Sequence, residues 1–153
     1  MRDPLDVSFT FQRRPMPVPA SLRPEWRIAL LLLCLHQCWG SRATRRQLHV
    51  LNWAVRTAET REVFLRVLMG QLAPDEAIVR FDPVVDRALH FATGEGLVTV
   101  SGELVLLTEK GEHFAKKLIR TKGCMEIEKR FFAAIGRKLT QVQVDAFLTL
   151  EER

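Results

Sequence analysis

The sequence predicts a mostly α fold with a small β wing, and three observations carry that prediction. Seven helical patterns run from residue 25 to residue 150. The stretch LVTVSGELVLL at 97–107 reads as two short strands around Ser101-Gly102. That hairpin follows one helix and leads at once into another, the order of a winged helix-turn-helix with extra helices at both ends. A chain of 153 residues, 47% apolar and 27% charged, suits one domain with a real core and appended segments.

Three parts follow from composition. Residues 1–24 are a Pro-rich extended arm, 25–121 the winged-helix domain, and 122–153 a C-terminal helical extension. The arm holds five of the seven prolines, which rules out a helix or a central strand. Within it Val7, Phe9 and Phe11 alternate with Ser8 and Thr10, giving an extended segment one apolar face. These three are expected to dock on a partner or on the edge of this domain.

Glu25–Cys38 is helical and apolar nearly all round, as a helix covered on most sides should be. A second helix follows Gly40, with Ser41 or Thr44 as N-cap and Leu48, Leu51 and Val55 on one stripe. A third, roughly Glu59–Leu72, carries Phe64, Val67, Leu68 and Leu72 before Ala73-Pro74-Asp75 breaks it. Ala77–Phe81 is a short strand candidate. Asp82-Pro83 then opens a helix over Pro83–Thr93, with Val84, Ala88 and Phe91 or Ala92 inward. Thr108 caps the helix after the hairpin, which should face Phe114, Ala115 and Leu118 to the core. Cys124–Leu139 and Gln141–Leu150 complete the set, with Thr140 as the cap between them.

Charge is unevenly placed. The net charge is +5, yet residues 1–70 carry 11 Arg and no Lys against 5 carboxylates, while 71–108 carry 2 cations against 6 carboxylates. No Lys or Arg lies between Arg87 and Lys110. A helix-turn-helix protein reads bases with the helix before the wing, here Pro83–Thr93. Its polar positions hold Asp82, Asp86, His90 and Glu95 around Arg87, and the wing tip holds Glu103. Phosphate contacts dominate DNA affinity, so this surface has the wrong sign for a duplex. Arg42, Arg45 and Arg46 form a separate basic group and are the candidates for non-specific phosphate contact.

Chemistry finds little support. Cys34 and Cys38 share one helical face, but His36 points away from both on a helix turning about 100° per residue. Core packing therefore explains the thiols better than a metal does. TGEG at 93–96 lacks the Lys-Ser/Thr of a phosphate loop and runs into a strand. No nucleophile has a base beside it, so no enzyme, cofactor or small-molecule substrate is expected. Three cysteines do not make a disulfide framework, and a reducing cytoplasm is the expected setting. The apolar run Ile28–Leu35 is shorter than the roughly 20 residues a bilayer requires, so no membrane is expected. Large aromatics suit protein contact, and Phe131 and Phe132 in FFAAI are interface candidates beside the arm residues.

One combination of stretches carries a resemblance: the apolar first helix, SRATRRQLHVLNWAV, VRFDP, PVVDRALHFATGEGLV and LLTEKGEHFAKKLI. Over residues 25–121 this resembles the small middle components of bacterial ABC-three-component systems, including the small subunit of Lamassu-type anti-phage defence complexes. The resemblance implies a non-catalytic adaptor that bridges an SMC- or Rad50-like ATPase and an effector nuclease, and it carries no catalytic residue. A dimeric winged-helix transcriptional regulator is the competing expectation.

Overall fold

The computed structural model describes residues 12–13, 15–19, 22–136 and 140–148. It is mostly helical, with one small antiparallel sheet. The elements are α1 (Pro24–Gln37), β1 (Arg42–Thr44), α2 (Arg45–Val55), α3 (Ala58–Leu68), α4 (Pro83–Gly94), β2 (Val98–Ser101), β3 (Leu104–Leu107), α5 (Glu109–Arg120), α6 (Glu126–Ile135) and α7 (Gln141–Asp145).

The first helix is the axis of the fold. Leu30 through Leu35 are six consecutive buried residues, and α2, α4, α5 and α6 all pack against α1. Surrounded in this way, α1 has no solvent stripe, which accounts for its unpatterned apolar run. Fully burying each of its leucines is worth about 1.5–3 kcal/mol against leaving it exposed. No helix among the described residues is long and apolar enough to cross a membrane.

Local signals set the element starts. Thr44, not Ser41, caps α2: its side chain accepts the Gln47 N–H at 3.1 Å, and Gln47 Oε1 accepts the Thr44 N–H at 2.8 Å. Ser41 instead takes a left-handed φ of 51° and turns the chain from α1 into β1. Thr57 caps α3 and Thr108 caps α5, each through the N–H three residues on. The third helix stops at Leu68 rather than Leu72 because Gly70 adopts a φ of 71°, which ends a helix without steric cost.

The sheet corrects the expected strand positions. Its order is β1-β3-β2, with Ala43 opposite Val105 and Val100 opposite Val105 on the other side. The third strand is Arg42–Thr44, ahead of α2; Ala77–Phe81 forms no strand. The place beside β3 is taken by β1, and the extended 77–81 segment joins neither outer edge of the sheet. It anchors through buried Ala77, while Ile78 stays 74% exposed. The two-residue turn of the hairpin is Gly102-Glu103, since Ser101 pairs with Leu104.

Two inward faces also differ from expectation. On α4 Ala88 and Ala92 are buried as expected, but Val85 and Leu89 complete the inward face, while Val84 is half-buried and Phe91 is 53% exposed. On α5, Ala115 is buried but Phe114 is half-exposed. The cause is Gly111, which lies so close to the sheet that a Cβ there would stand 2.0 Å from the Leu97 carbonyl oxygen. That backbone approach turns the face of Gly111 and Ala115 inward and rolls Phe114 outward.

Helices α6 and α7 fold back on the main body. Phe131, Phe132, Ile135, Val144 and Phe147 belong to the same apolar core as α1 and α2. The Phe64 ring sits 4.9 Å from Phe147 and 5.9 Å from Phe131 between ring centres, distances at which aromatic pairs attract.

Candidate functional site

The helix before the hairpin is held by a knot of charges at its start. Asp82 caps α4 through Oδ1, which accepts the Val84 N–H at 3.0 Å. Its Oδ2 lies 3.4 Å from Arg27 of α1 and 3.7 Å from Arg56 beyond α2. Arg27 and Asp82 are both 11% exposed, so this carboxylate is internal rather than a surface acid. His49, buried on α2, accepts the Asp82 N–H through Nδ1 at 3.4 Å. That bond leaves Nε2 as the protonated nitrogen, and it faces Asp86 Oδ2 at 3.5 Å. The ring also stacks on Phe81 with centres 4.4 Å apart. Arg27, His49, Arg56, Asp82 and Asp86 thus fix the position of α4 against α1 and α2.

What α4 and the hairpin turn outward follows from that placement. Asp86, Arg87, His90 and Phe91 are exposed on the helix, and Glu95 at its end. The hairpin exposes Thr99, Val100, Ser101 and Glu103. Over this surface there are three carboxylates, one guanidinium and two exposed apolar side chains, Phe91 and Val100. The next cation, Lys110, is tied down by donating Nζ to the Glu95 carbonyl at 2.7 Å.

The three arginines named for phosphate contact are neighbours in sequence but unlike in setting. Arg42 lies on β1 with its guanidinium 5.3 Å from the centre of the exposed Trp39 ring. Arg45 is exposed in the first turn of α2, where its backbone N–H bonds the Glu103 carbonyl at 3.0 Å. This bond brings the hairpin tip to the start of α2. Arg46 is half-buried and already engaged within the fold. Only Arg45 of the three is fully exposed, which makes for a narrower basic face than the sequence suggests.

Phe131 and Phe132 are buried, at 5% and 4% exposure, because α6 lies on the core. They are corrected here from interface candidates to core residues of this chain. Val7, Phe9 and Phe11 lie outside the described residues.

The thiols are set by burial. Desolvation, with the neighbouring Cys38 adding to it, holds Cys34 well above the ordinary thiol value, and burial pushes Cys38 up to about 12. Protonated thiols are poor ligands and poor nucleophiles. His36 turns to Glu112, with Nδ1 2.9 Å from Oε1, and Ser41 Oγ donates to the other oxygen at 3.0 Å. Among the described residues no three His, Cys, Asp or Glu side chains gather as metal ligands would.

Reasoning from sequence missed the role of His49 and the inward turn of Asp82. Two polar residues, His49 and Asn52, inside the run LHVLNWAV were the available signal, since a buried imidazole needs partners. Compared with protein-family models, with curated proteins and with solved structures, the chain finds no match.

Proposed function

We propose that this chain is a non-catalytic winged-helix adaptor subunit, bridging an SMC- or Rad50-like ATPase and an effector nuclease in a bacterial anti-phage or anti-plasmid defence complex. One observation carries the protein-contact part of this reading. The exposed surface of α4 and the hairpin holds Asp86, Glu95 and Glu103 against a single guanidinium, Arg87, with Phe91 53% exposed beside them. Carboxylates repel a polyanion, while an exposed phenyl ring rimmed by mixed charge suits a protein surface. Support for the fold comes from the order β1-α2-α3-α4-β2-β3-α5, with β1 paired to the hairpin. Support for the particular complex is the resemblance carried by residues 25–121.

The test has two arms. The neighbouring genes should encode an ATPase and a nuclease with which the co-expressed chain co-purifies, and gel shifts on its own promoter should show no sequence preference. A regulator would behave oppositely: a promoter footprint lost in Arg87→Ala and His90→Ala overturns the adaptor reading.

A further inference from the structure

Helix α3 carries a second apolar stripe at the margin of the core, where Leu65 packs on the core and Met69 is exposed. Ala58, Leu65 and Met69 recur about a third of a turn round the helix from Phe64, Val67 and Leu68. On α6, Ile127, Phe131 and Ala134 share one face of the helix. The two stripes face each other across a groove of about 610 Å³. Leu65 and Phe131 form its floor, while Met69 is 63% and Ile127 55% exposed.

The rim is cationic. Arg61, Arg66 and Arg130 line it, with Glu62 as the one carboxylate. Arg61 donates Nη1 to the Val55 carbonyl at 2.8 Å and is thereby fixed in place. Among the described residues, none forms a hydrogen bond or an ion pair with the side chain of Arg66 or Arg130. Two exposed apolar side chains between uncommitted guanidiniums do nothing for the fold. They complement a ligand with an apolar ridge and flanking carboxylates, which guanidinium binds in a bidentate fork. The walls are helices of 11 and 10 residues, each about 15 Å long, which suits two to three turns of a helix laid between them.

We propose that the α3–α6 groove docks an acidic amphipathic helix of a partner protein. Its apolar side chains pack on Leu65, Met69 and Ile127, and its carboxylates pair with Arg66 and Arg130. The inference rests on reading the chain as a protein-contact module and is independent of which complex it joins.

A library of helical peptides of about four turns tests it. Leu occupies the ridge positions, and the flanking positions are randomised among Glu, Gln and Lys. Sorted against the full chain, binders should be enriched in flanking Glu. An enriched peptide should lose tenfold or more in affinity for Arg66→Glu/Arg130→Glu, and its Lys-flanked twin should gain on that variant. Circular dichroism melts confirm that these surface changes leave the fold intact. The proposal is overturned if no peptide is selected, if Gln or Lys is enriched, or if the charge reversal leaves affinity unchanged. Light scattering adds one more contrary outcome, a dimer dissociated by the same reversal, which would make the occupant a second copy of this chain. Peptide selection without co-purification of ATPase and nuclease removes the defence complex and leaves the groove; the converse removes the groove alone.

Discussion

Gly111 shows how one missing side chain shapes a helix contact. A Cβ there would stand 2.0 Å from the Leu97 carbonyl oxygen, and backbone cannot swing aside as a flexible side chain can. Gly111→Ala should therefore destabilise the chain by about 1–3 kcal/mol in denaturant unfolding, although alanine is the better helix former by about 1 kcal/mol. A neutral or stabilising result would show that α5 and the 96–98 segment shift apart freely. Cys38 gives a residue-scale prediction in pH. Its thiol ionises near 9.0 when unfolded and near 12 when folded, so the unfolded chain binds fewer protons between those values. Its contribution is whole below about 9 and is lost as the pH rises toward 12. The stability of wild type relative to Cys38→Ala should fall across that window. A constant difference would mean that the thiol ionises equally in both states.

At the scale of elements, α6 decides between surface and core. Phe131→Ala should cost about 3–5 kcal/mol, because the ring is buried and packs on Phe64 in the core. Phe91→Ala on the exposed side of α4 should stay within about 0.5 kcal/mol. Equal costs in urea titrations would contradict the burial assigned to these helices. Most helices could be read from their sequences, because Thr44, Thr57, Asp82 and Thr108 are local caps whose effect needs no tertiary partner. Strand β1 could not, since three residues of RAT carry no alternation long enough to detect. It exists because β3 offers an unpaired edge beside it. On α4, Ala88 and Ala92 were legible as inward, but Val84 and Val85 fit equally in a helical pattern, and packing on α1 chose Val85. The α3 groove stripe was legible in principle, as a second apolar recurrence on a helix whose first already filled a core face.

Across the whole molecule, the separation of charge is the property with consequences. Basic residues gather before residue 70 and after 109, with an acidic span between, so the +5 total describes no particular surface. The α4 and hairpin face should therefore contribute nothing to the salt dependence of duplex binding. Glu103→Lys and Asp86→Lys should raise affinity for random duplex in gel shifts and steepen its fall with salt by about one ion per cation added. Asp86→Lys also places a cation beside His49, so Glu103→Lys is the cleaner of the two. A drop in affinity from either change would place this face against bases after all.

By itself the sequence determined the helix starts, the hairpin, the burial of the first helix and the sign of the charge along the chain. These are properties of neighbours within a turn or two, or of composition alone. Only the tertiary structure decided that Arg42–Thr44 would be a strand, that Asp82 would turn inward to Arg27 and Arg56, and that Phe131 and Phe132 would be covered. Each of those depends on a partner far away in sequence: β3 for β1, α1 for Asp82, and Phe64 for Phe131. No local pattern encodes which distant surface arrives, because a half-apolar segment is stable against whatever apolar face the fold brings to it.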